Sequence, residues 1–65
     1  MTTAEEAFYK NHLQKYFDKH FKQYEDSIEY FVDPAPNQWK FAIPELNVIV
    51  LLVCDDKGKV RRREL

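Results

Sequence analysis

Sixty-five residues, 45% apolar, 15% aromatic and 32% charged, predict one small soluble domain spanning 1–65. Ten Lys and Arg against eleven Asp and Glu leave a formal charge of −1, which argues against a protein that coats a polyanion. A single cysteine excludes an internal disulfide and supplies too few thiols for a zinc finger or ribbon, and no apolar run reaches the roughly 20 residues of a membrane span.

The opening Met-Thr-Thr-Ala-Glu-Glu is acidic and lacks the basic and apolar regions of a secretory signal; with the free thiol, this points to the cytoplasm. A helix is predicted from about Thr3 to Tyr24. Thr3 with Glu6 fits a capping box, as does Thr2 with Glu5. At about 100° per residue, Leu13 shares a face with Tyr9, Tyr16, Phe17, His20, Phe21 and Tyr24, while Asn11, Lys15, Asp18, Lys19 and Lys22 gather opposite. Phe8 falls outside this pattern. It belongs to a frayed first turn, makes a contact with a neighbouring loop, or is an exposed aromatic anchor for a partner.

The period then changes. Ile28, Tyr30 and Val32 alternate with Glu29, Phe31 and Asp33, as in a strand, and Pro34-Ala35-Pro36-Asn37 is expected to end it. Trp39, Phe41 and Ile43 form the apolar face of a second strand, which Pro44-Glu45 breaks. Asn47 to Cys54 is an almost unbroken apolar run, the pattern of a central strand. Asp55-Asp56-Lys57-Gly58 reads as a turn with Gly58 left-handed, and Lys59 to Glu64 as a charged edge strand. Short connections favour antiparallel neighbours. The predicted architecture is therefore α+β, an N-terminal amphipathic helix packed on one face of a four-stranded antiparallel meander.

One helix covers one face of such a sheet. Val48, Val50, Leu52 and Cys54 point one way along the third strand, and Ile49, Leu51 and Val53 the other. Phe31, out of phase with Ile28, Tyr30 and Val32, is expected to join the second set. The candidate partner-binding surface is thus the helix-free face, built on Phe31, Ile49, Leu51 and Val53 and rimmed by Lys40, Arg61 and Arg63. Proline-rich loops or the C-terminal residues folding over this side would instead complete an ordinary core.

Chemistry is sparsely signalled. His12 and His20 lie eight residues apart, too far for a one-turn chelating pair, and His20 reads as a hydrogen-bonded core histidine with His12 on a solvated flank. Cys54 ends an apolar strand beside two aspartates, a setting that raises a thiol pKa. No catalytic, metal or cofactor motif emerges, so the chain is read as non-enzymatic. The leading expectation is a protein-interaction module (a regulator, inhibitor or accessory subunit) that pairs with itself or with another protein. The alternative is nucleic-acid binding through the C-terminal hairpin. Residues 1–33 carry four basic and seven acidic side chains, whereas 34–65 carry six and four.

Overall fold

The computed structural model describes residues 3–65. Helix α1 (Ala4–His20) begins where expected: the Thr3 hydroxyl oxygen accepts the Glu6 N–H at 3.1 Å, satisfying one of the free donors of the first turn. Thr2, the other candidate cap, lies outside the described residues. Glu5 and Glu6 in the first turn and Lys19 and His20 in the last complement the helix dipole.

The α-helix stops earlier than its apolar pattern suggests. Phe21 leaves helical geometry (φ −126°, ψ 0°), and the chain tightens into a 3₁₀ turn over Lys22–Tyr24. Residues three apart are in line in a 3₁₀ turn, so Phe21 and Tyr24 still face the core while the chain doubles back. The Tyr24 carbonyl accepts from both Ser27 and Ile28 N–H groups, delivering the backbone to the sheet.

Four strands follow, β1 (Glu29–Ala35), β2 (Gln38–Ile43), β3 (Val48–Cys54) and β4 (Val60–Glu64), forming an antiparallel meander in the order β1-β2-β3-β4. Helix α1 packs on one face, mainly over β3 and then β4. This is the α+β arrangement expected. The core joins Leu13, Phe17 and Phe21 to Phe41, Ile43, Val50, Leu52 and Cys54, with Phe17 and Phe21 at 5.5 and 5.4 Å from the Phe41 ring. The stripe Leu13–Phe17–Phe21 is centred about 60° around the helix from His20. His20 is therefore exposed against Tyr16 at 4.4 Å, and is not the core histidine its projection implied.

Strand β1 departs most from expectation. It runs through Pro34 to Ala35 and turns at Pro36-Asn37. An edge strand tolerates Pro34 because its missing N–H has no neighbour to serve. Tyr30 takes φ 56°, and the pairing with β2 is irregular between Glu29 and Val32 and again between Val32 and Ala35. The irregularity shifts the alternation by one residue. Ile28 and Phe31 then lie on the helix side, with Phe31 stacked on Phe41 at 5.6 Å and set edge-on to Phe17 at 6.3 Å. The placement of Phe31 on the helix-free face is thus corrected: that side holds Tyr30 and Val32.

Each turn is held locally. Asn37 donates its side-chain amide to the Cys54 carbonyl and accepts the Cys54 N–H through its backbone oxygen, both at 2.9 Å. Asn47 takes φ 54° in the β2–β3 turn, where Ser27 donates to the Glu45 carboxylate. In the β3–β4 turn the Asp55 carboxylate accepts the N–H groups of Lys57 and Lys59 at 2.9 Å each, and Gly58 adopts φ 86°.

Candidate protein-interaction face

Residues paired across antiparallel strands share a face, so the ladder defines the helix-free surface directly. One row is Gln38, Val53 and Arg61; the next is Val32, Lys40, Leu51 and Arg63; the third sets Ala42 beside Ile49. Leu65 continues the third row through its N–H to the Ile49 carbonyl at 2.8 Å. Ile49, Leu51, Val53, Arg61 and Arg63 are therefore brought together on one surface, with Lys40 among them.

The inner side of β3 is dry: Val50 is 1% exposed, and Leu52 and Cys54 are fully buried. Its outer side is open. Ile49 is 42% exposed, Val32 50% and Tyr30 79%, while Leu51 and Val53 are partly exposed. Tyr30, Val32, Lys40, Phe41, Ala42 and Ile49 line a shallow apolar groove of about 260 Å³ on this side. Tyr30 and Val32 are the members that periodicity missed, because nothing in the composition of β1 marks a tyrosine for a left-handed backbone.

Phe8 lies away from this face on α1. It is 37% exposed and meets the His12 ring edge-on at 4.5 Å. His12 is half-buried and not a solvated flank residue; its imidazole sits where a Cβ on Gly58 would fall, 2.7 Å from Nε2. Phe8, His12 and Gly58 thus form a contact between the helix and the β3–β4 turn.

The reactive side chains are held quietly. Burial, and next the Asp55 charge, push the Cys54 thiol above its ordinary pKa, which disfavours a thiolate. The thiol donates weakly to the Asp55 carbonyl at 3.4 Å. Asp55 is held below the usual carboxylate range, first by the Lys59 N–H and then by that of Lys57. Among the described residues no group of three or more His, Cys, Asp or Glu is placed to hold a metal ion, and no helix is long and apolar enough to cross a membrane. No family model matches the chain, and comparison with curated proteins and with solved structures returns no match.

Proposed function

We propose that this protein is a non-catalytic protein-interaction module that pairs with a second copy of itself through the helix-free face of its sheet, in the manner of a small regulator, inhibitor or accessory subunit. The observation that carries this reading is the open outer side of β3, where Ile49, Leu51 and Val53 line up beside the exposed Val32 and Tyr30. Apolar side chains left open on either side of Lys40 on so small a chain call for a cover. Completing the burial of Val32 and Ile49, each about half exposed, contributes about 1 kcal/mol for each, taking half of the value for full burial, and the mostly covered Leu51 and Val53 add less.

The rim favours a second copy as that cover. Sheets stacked face to face align their strands to within about 30°. A two-fold axis parallel to the strands then lays β4 of each copy over β1 of the other. By the register Arg63 then falls over the Val32 row, next to Glu29 and the Tyr30 ring, an opposite charge and a cation–π surface, while Arg61 falls over the Ala35 row and the central Lys40 over Leu51. Burial of the one free thiol, Cys54, suits a reducing compartment such as the cytoplasm.

Backbone amide spectra recorded over a dilution series test the proposal. Concentration-dependent shifts are expected at Val32, Lys40, Ile49, Leu51 and Val53, with the outer face of α1 unmoved. Spectra independent of concentration, or shifts confined to α1, overturn it.

A further inference from the structure

The two edges of the sheet are built differently. The β1 edge is blunted by Pro34, by two breaks in register and by the left-handed Tyr30. The β4 edge is regular: Val60 to Glu64 pair one-for-one with Cys54 to Val50. At its ends the Asp55 N–H bonds the Lys59 carbonyl at 2.9 Å and the Leu65 N–H the Ile49 carbonyl at 2.8 Å. Odd-numbered residues therefore face β3, and the N–H and C=O groups of Val60, Arg62 and Glu64 point outward, ready for another strand.

The side chains along that edge say which strand fits. Arg61 and Arg63 stand on the helix-free side. Arg62 stands on the helix side, with its guanidinium 5.7 Å from the centre of the Phe21 ring. Lys57 and Lys59 precede them, and the nearby Asp55 carboxylate is already engaged by backbone N–H groups. A second β4 would set arginine against arginine, and like charges directly opposite oppose pairing. We propose that the outer edge of β4 accepts an acidic, extended segment of another protein as a fifth strand, its carboxylates alternating between Arg61 and Arg63 on one side and Arg62 on the other. The outward N–H and C=O groups of β4 and Arg62 lie outside the self-association face, whereas Arg61 and Arg63 are shared with its rim, so a second copy would leave the edge open but compete for those two side chains.

The test uses the full chain and a labelled, end-capped Val-Thr-Glu-Glu-Glu-Thr-Val peptide, followed by fluorescence anisotropy. Glu64→Pro keeps all three arginines, and because the Glu64 N–H points away from β3 it leaves the β3–β4 ladder intact while obstructing an incoming strand. Binding is expected to weaken by about tenfold or more in Glu64→Pro, and equally when the central peptide amide is N-methylated and offered to the unaltered protein. Unchanged affinity in both experiments means bulk charge attraction only and overturns the proposal. Tighter binding of a single-stranded oligonucleotide of the same charge than of the peptide also overturns it, assigning the arginines to phosphate. Should Glu64→Pro fail to fold, the N-methylated peptide alone decides.

Discussion

Leu51→Glu separates the outer face of β3 from the fold beneath it. Leu51 is mostly covered within the protomer and pairs directly with Lys40 on one side and Arg63 on the other. Full burial of a leucine is worth about 1.5–3 kcal/mol, so the part already covered contributes about 1–2 kcal/mol to folding. The introduced carboxylate recovers much of this, because two cross-strand opposite-charge pairs contribute roughly 0.2–1 kcal/mol each. In a two-fold dimer the part of Leu51 still exposed, about a third at most, is lost twice, about 1–2 kcal/mol, which corresponds to about a 5- to 30-fold rise in dissociation constant before any cost of drying the carboxylates. The assay pairs sedimentation velocity over a concentration series with thermal melting by circular dichroism under dilute conditions. The variant should sediment as a monomer where the natural chain pairs, and melt within a few degrees of the natural monomer. An unfolded variant would show that this side of Leu51 is structural, and undiminished self-association would show that the face is not the interface.

Other substitutions probe the supports of the face. Tyr30→Gly relieves a left-handed backbone that costs a non-glycine residue about 1–2 kcal/mol, and should stabilise the monomer by about 0.5–1 kcal/mol in urea melts after the added chain entropy while weakening self-association. Loss of stability would refute the strain assigned to Tyr30. Gly58→Ala meets both a φ of 86° and the His12 imidazole, and should destabilise by more than 1 kcal/mol or so; adding His12→Ala should recover only part of that, since the backbone strain remains. Full recovery would show that the clash alone matters. Asp55→Ala should lower the melting temperature at neutral pH and flatten the acid arm of the stability curve. Because the folded Asp55 pKa is depressed, its contribution is complete above the unfolded value of about 3.9 and is lost as pH falls through the lower folded value. Equal stability of the variant and the natural chain at neutral pH would contradict this.

The elements with a strong local signature were readable from the residues alone. Thr3 and Glu6 marked the helix start, Trp39, Phe41 and Ile43 the inner face of β2, and Gly58 the left-handed turn, since each follows from local sterics or a period of two. The two-sided apolar character of β3 likewise marks a second face that one helix does not cover. Phe31 is misplaced by strict alternation because the left-handed Tyr30 shifts the pattern through Val32, until a second break before Ala35 restores it, and tertiary pairing selects that conformation against local preference. Pro34 was read as a stop because edge position, which makes it harmless, is a property of the whole sheet. His20 and the helix end were missed for a related reason. Helical projection shows which residues share a face, but the sheet beneath decides which of them are covered.

The claim on which this account rests is that an apolar sheet face left open by one helix is closed by a second copy of the chain. Sedimentation equilibrium of the natural protein addresses it most directly. The weight-average mass is predicted to climb reversibly from 7.9 kDa toward twice that value as concentration rises. A mass fixed at 7.9 kDa up to the solubility limit would contradict the account.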